Sequence, residues 1–257
     1  MSKFSNLLTA LTAAVVMFGH STGFAHGEER VSIEAVTQGT LTASDKIEFV
    51  FKLQDEVAKK SVGELDLKES HTKKLHLVVY DASLNEFNHV HPTFDGEFWK
   101  AELNLTTDGS YFIWAQGTLL DGTEFSASYQ VGVTDGKPAL TVVSLGNIRK
   151  ASVGNTVVEL SKEKVRAGKM AMIIYTVSHI DGTQPDVTQY LGANAHIIAV
   201  SPDGTDLIHA HPMDGNDNTT GMIHVTFPTE GDYRIWVQVI DAGVLKTVPL
   251  SVTVLKK

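Results

Sequence analysis

Two stretches read almost alike: Asp108-Gly109-Ser110-Tyr111-Phe112-Ile113-Trp114-Ala115-Gln116 and Glu230-Gly231-Asp232-Tyr233-Arg234-Ile235-Trp236-Val237-Gln238. Each follows the same histidine signature. The earlier is preceded by His76 and His89-Val90-His91-Pro92, the later by His196 and His209-Ala210-His211-Pro212. The offset is 120 residues at every one of these histidines and at the proline, and 122 at Tyr, Trp and Gln, so a two-residue insertion restores the match. So many ordered matches mark an internal duplication, and a repeated unit of this length is one supersecondary build used twice.

The segments between these anchors read as strands. Ile47–Leu53, Leu75–Tyr80, Tyr111–Gln116 and Phe125–Val133 belong to the first copy. Met170–Val177, Ala195–Val200, Gly221–Phe227, Tyr233–Ile240 and Val248–Leu255 belong to the second. They are rich in β-branched and aromatic residues and end in turn chemistry. Ser201-Pro202-Asp203-Gly204 suits a tight turn, and Asp121-Gly122 and Ala242-Gly243 would close the last hairpin of each copy. Only Glu56–Lys60 suggests a short turn of helix. About seven short strands per ~110 residues predicts an immunoglobulin-like sandwich, so the expected class is all-β, two tandem β-sandwich domains. The Gly-x-Tyr step before each Trp resembles the corner where a Tyr hydroxyl bonds back to an upstream backbone group. The Trp-x-Gln pairs put an aromatic and an amide on one face, with the Trp expected in the sandwich interior.

The chain has 257 residues, 42% of them apolar, which suits two ordinary cores. Its N-terminus reads as a secretory signal: Lys3, then an apolar run from Leu7 to Phe18, then small residues at Gly23 and Ala25. The expected division is a signal peptide at 1–25, a first sandwich at 26–136 and a second at 137–257, joined near Thr134–Pro138. The expected location is periplasmic or secreted, with no membrane span after cleavage. A net charge of −9 with no basic patch argues against a nucleic-acid partner. The absence of cysteine excludes disulfides and thiolate metal ligands.

Chemistry concentrates in His-x12-His-x-His-Pro. Two histidines at i and i+2 of a strand share a face. With Asp81–Leu84 as a hairpin loop, His76 would lie opposite His89, and three imidazoles would converge. Such a set suits Cu²⁺ or Zn²⁺. The expected ligands are His76, His89 and His91 in one copy and His196, His209 and His211 in the other. Met213 would soften the second site for Cu(I), and His26, as the residue after cleavage, is a further candidate. His71, close before His76, is a possible extra ligand with no counterpart in the second copy. The bland reading makes these histidines half-buried hydrogen-bonding residues; recurrence at ligand spacing in both copies favours metal. His179 and His224 lack counterparts and read as structural, and Met170 and Met172 read as core packing.

On Leu75-His76 through Ser83-Leu84-Asn85-Glu86-Phe87-Asn88-His89-Val90-His91-Pro92, and on Tyr190-Leu191-Gly192-Ala193-Asn194-Ala195-His196 through Pro212, the chain resembles a family of uncharacterised bacterial secreted proteins. The resemblance covers most of residues 65–255. It implies an association with copper or heavy-metal handling. Ala82 stands where the family pattern favours Asp. A second, thinner likeness, to periplasmic copper-resistance proteins whose mature chain begins with His, rests on His26 and the sandwich. The expected function is therefore an exported metal-binding protein, copper first and zinc second, acting as buffer, carrier or sensor. The alternative is an immunoglobulin-like interaction module of the cell envelope with structural histidines and an envelope protein as partner. No paired carboxylates or Ser-His spacing points to an enzyme.

Overall fold

The computed structural model describes residues 30–257 apart from 38, 71, 141–144 and 214–216. The expected signal segment, His26 and His71 lie outside the described residues. The chain forms two β-sandwiches in tandem. In the first, one sheet runs Val31–Ala35, Ser44–Asp55, Trp99–Leu105, Thr93–Phe94, and the other runs Glu124–Thr134, Gly109–Leu119, Leu75–Asp81, Phe87–Val90. The second repeats this with Lys150–Val153, Thr156–Leu160, Met170–His179 and Thr220–Thr226 against Val244–Leu255, Gly231–Asp241, His196–Val200 and Leu207–Ala210. Glu56–Lys59 is a turn rather than helix. Among the described residues, no helix is long and apolar enough to cross a membrane.

Period-2 alternation fills each core. Tyr111, Ile113 and Ala115 face Phe49, Phe51 and Leu103 in the first sandwich; Tyr233, Ile235 and Val237 face Ile173, Tyr175 and Val225 in the second. The Tyr111 hydroxyl donates to the Thr107 carbonyl at 3.1 Å, and the Tyr233 hydroxyl accepts from the Thr229 N–H at 3.3 Å, so each core tyrosine is anchored to the chain four residues upstream. Gly204 N–H bonds the Ser201 carbonyl at 2.9 Å, closing the Pro-Asp-Gly turn. The final hairpin turns on Ala242 and Gly243, both with positive φ, and so needs the glycine it has.

The two tryptophans expected inside the sandwiches lie elsewhere. In Leu75–Asp81 every residue is buried, on both faces. The inward face carries Leu75, Leu77 and Val79. The outward face carries His76, Val78 and Tyr80, and it is covered by the other half. Val78, Tyr80, Leu84 and Trp114 form a third core with Ile198, Val200 and Trp236. Trp114 and Trp236 fall there because they alternate with the core-facing Ile113, Ala115, Ile235 and Val237. Phe87 stacks on Trp236 with ring centroids 4.5 Å apart. Polar contacts cross as well: the Tyr80 hydroxyl, which accepts from Trp114 Nε1 of its own half at 2.7 Å, donates to the Gly204 carbonyl at 2.9 Å, and Arg234 Nε donates to the Leu84 carbonyl at 2.9 Å. Burying each large apolar side chain in this third core contributes about 1.5–3 kcal/mol. The halves therefore meet through a packed surface, with the histidine faces turned inward.

Candidate metal centre

The histidine hairpins differ in register from the sequence expectation. Val78 pairs with His89 and Ile198 with His209, two residues away from a His76–His89 pairing. The loop is longer than Asp81–Leu84, because the Asp81 carboxylate accepts the N–H groups of Asn85 and Glu86 at 2.8 and 2.7 Å and delays the next strand until Phe87. Ser201 Oγ does the same for Thr205 and Asp206 in the second half, at 3.1 and 2.9 Å. A shift of two keeps parity, so all three histidines of each half stay on one face.

The imidazoles converge. His76 Nδ1 lies 3.2 Å from His89 Nε2 and 3.2 Å from His91 Nε2. In the second half His196 Nδ1 lies 3.3 Å from His209 Nε2 and 3.0 Å from His211 Nε2. The two sets also touch each other. Ring centroids are 4.9 Å apart for His89 and His209, and 5.3 Å for His76 and His209. His209 belongs to two groups whose ligand atoms all lie within 4.8 Å: one with His76 and His89, the other with His196 and His211. The six rings form one cluster spanning the interface.

The opposite ring nitrogens fix the tautomer of four of these rings. His76 Nε2 donates to the Ser70 carbonyl at 3.3 Å, and His196 Nε2 to the Tyr190 carbonyl at 2.8 Å. His89 Nδ1 donates to Gln238 Oε1 at 2.7 Å, and His209 Nδ1 to Gln116 Oε1 at 3.2 Å. Each glutamine amide is oriented by its NH2, which donates to Ser126 or Thr247 at 3.0 Å. Carbonyl oxygens only accept, so each facing ring nitrogen carries the proton, and in the neutral ring the other nitrogen is an acceptor. The lone pairs of His76 Nδ1 and His89 Nε2 thus point at one another, as do those of His196 Nδ1 and His209 Nε2. A cation between them relieves the repulsion, and an Nε2–H of His91 or His211, 3.2 and 3.0 Å from His76 Nδ1 and His196 Nδ1, relieves part of it. A tetrahedral ion with metal–nitrogen bonds of about 2.0–2.1 Å places its ligand nitrogens about 3.3 Å apart, close to the spacings found here. Proton-accepting partners behind metal-ligating imidazoles fix their tautomer and raise their basicity.

Burial holds three of the rings neutral. It pushes His89 down to about 3, helped by the neighbouring His76 and His196, with Gln238 opposing. It pushes His91 down to about 3, with His89 and His76 adding to the effect, and lowers His209 well below the usual imidazole range. Deprotonated imidazoles are the form a metal requires. A cleft of about 240 Å³ beside the cluster, lined by Ser70, His76, Gln116, Glu124, His209 and His211 among others, gives a path from solvent.

Met213 stands apart from this arrangement. The histidine strand ends at Ala210, the chain crosses to the opposite sheet beyond Pro212, and Met213 pairs there with Met222. The matching step in the first half takes Thr93 beyond Pro92 to pair with Lys100. Gln116 and Gln238 were singled out in the sequence only as companions of the tryptophans. Their repetition at a fixed distance from the histidines was the signal that could have found them. His179 has a structural place: Nε2 meets the buried Asp241 carboxylate at 2.7 Å, and Nδ1 meets Thr183 Oγ1 at 2.7 Å.

A single family model matches both halves, over residues 25–135 and 151–256, under the description Domain of unknown function (DUF8832). The chain belongs to this family. It holds two copies of the family's domain, and the description assigns that domain no function. No curated protein matches the chain. Among solved structures, the fibronectin(III)-like modules of Clostridium thermocellum CbhA are similar at 14% identity over 88% of this chain and 94% of that one, with a TM-score of 0.25. Invasin, a bacterial integrin-binding protein, is similar at 12% identity over 88% of this chain and 39% of its own, with a TM-score of 0.28. A titin segment, A168169, is similar at 13% identity over 89% of this chain and 97% of its own, with a TM-score of 0.22.

Proposed function

We propose that this member of the DUF8832 family is an exported metal-binding protein that holds copper or zinc between its two halves, as a buffer, carrier or sensor. The observation that carries the reading is the opposed lone pairs of His76 and His89, repeated in His196 and His209, with each ring's other nitrogen bonded to a fixed acceptor. His76, His89 and His91 would hold one ion, and His196, His209 and His211 a second. Zinc and copper(II) both accept imidazole sets, and three protein ligands leave one position for water or a transfer partner. The signal segment supplies the exported location, periplasmic or secreted, and the sequence resemblance supplies the leaning toward copper. His26 would add a ligand only as a free N-terminus. A second reading, an envelope interaction module, rests on the two-sandwich build alone and requires partner binding to survive loss of the six histidines.

The test is titration of the untagged chain beginning at His26 with Cu²⁺, Cu(I) and Zn²⁺. A variant lacking His89, His91, His209 and His211 runs beside it. Two equivalents bound by the native chain and lost in the variant support the proposal. Binding that is weak and indifferent to the four substitutions overturns it.

A further inference from the structure

The chain has six methionines, and the four among the described residues (Met170, Met172, Met213 and Met222) all lie on one outer sheet face of the second sandwich. Methionine ordinarily fills cores. Here Met170 is 69% exposed, Met213 60% and Met172 55%. This corrects the core-packing reading of Met170 and Met172. Their strand, Met170–His179, buries Ile173, Tyr175 and Val177 and turns the alternate residues outward.

The register assembles these side chains. Met172 pairs directly with the exposed His224, Ile174 with Met222, and Met222 in turn with Met213 on its other side. Directly paired residues share a face with Cβ atoms about 4.5–5.5 Å apart, and diagonal neighbours lie about 7–8 Å apart. Met172, His224 and Met222 form such a triangle, with Met213 and Met170 flanking it. Long thioether arms and an imidazole at these spacings can close on one ion above the sheet.

The duplication supplies its own control. In the first sandwich Phe49 pairs with Ala101 and Phe51 with Trp99, where the second has Ile173 with Ile223 and Tyr175 with Gly221. The backbone positions of Met172, His224, Met222 and Met213 are therefore those of Glu48, Glu102, Lys100 and Thr93. The same face is an ordinary charged surface in one copy and a thioether–imidazole surface in the other. Packing demands on these outward positions are the same in both sandwiches, so packing does not account for the difference.

We infer that Met172, Met222 and His224, with Met213 alongside, form a surface site for a soft monovalent cation, copper(I) in the first place. Thioether sulfur selects such ions over zinc and over hard divalent cations. The site is separate from the interfacial imidazole cluster and stands whether or not that cluster binds metal.

Silver(I), redox-inert and of the same softness, is the probe. The full chain, labelled with 13C at the methionine methyls, is titrated in three forms: native, Met172→Leu/Met213→Leu/Met222→Leu, and His89→Ala/His209→Ala. Leucine keeps the face apolar while removing the sulfur, and circular dichroism checks that these outward positions, Met222 among them half-buried, leave the fold unchanged. The expected result is one silver equivalent that shifts the methyl resonances of Met172 and Met222, disappears in the leucine variant and persists in the histidine variant. Unshifted methyls, or full silver stoichiometry in the leucine variant, overturn the inference. An apolar docking patch would give that second outcome.

Discussion

His89 and Gln238, 149 residues apart in the chain, are joined by a 2.7 Å hydrogen bond from the imidazole Nδ1 to the amide oxygen. Its counterpart runs the other way, from His209 in the second half to Gln116 in the first. Each half thus orients a histidine of the other. Gln238→Leu should weaken metal affinity by about 10–100-fold, the usual effect of losing a partner behind a ligand, while the fold persists. Competition titration against a chromophoric chelator measures this. Unchanged affinity would separate the glutamines from the metal.

The metal-free protein should lose stability in acid for a definite reason. His89, His91 and His209 are held neutral when folded, with lowered values, whereas the unfolded chain takes up protons near 6.5. The unfolded state therefore binds more protons below that pH. Stability is fully present above about pH 7 and declines progressively as pH falls below about 6.5, where the unfolded chain charges these imidazoles and the folded one does not. Calorimetric melting at pH 7, 6, 5 and 4 should show this slope, and His89→Leu should make it shallower.

Tyr80→Phe removes a hydroxyl that both donates to the Gly204 carbonyl and accepts from Trp114 Nε1. Two buried groups lose their partner, at a cost of about 1–3 kcal/mol. Urea denaturation should register that drop, with a loss outside the range arguing for water entry or wider rearrangement.

Trp236→Ala should be worse, by about 3–5 kcal/mol, because the ring is 2% exposed and packs in the core shared by both halves. Bound metal should raise the melting temperature of the native chain and of this variant alike by mass action, leaving the difference between them in place.

The sandwich class was legible because the duplicated anchors fixed the unit and the turns cut it into strands. Trp99–Leu105 went unread, since Lys100, Glu102 and Asn104 dilute its β character although they only mark its wet face. The histidine set was legible in membership because i and i+2 spacing survives any even shift of register. Its register was not legible, since side-chain bonds from Asp81 and Ser201 lengthen the loops. Nor was the meeting of the two sets, although Leu75–Asp81 held a clue. A strand apolar on both faces in an antiparallel sheet needs a cover, and no other element of its own sandwich remained to supply one.

The interface core follows from this in a further way. Each half gives the other a glutamine, a tryptophan and a histidine face, the reciprocity of a twofold homodimer. Here both protomers are written into one polypeptide. Assembly of the six-imidazole cluster is then an intramolecular event, governed by the effective concentration the linker sets, at millimolar scale for short connections. The cluster would stay assembled at dilutions where a two-chain equivalent dissociates.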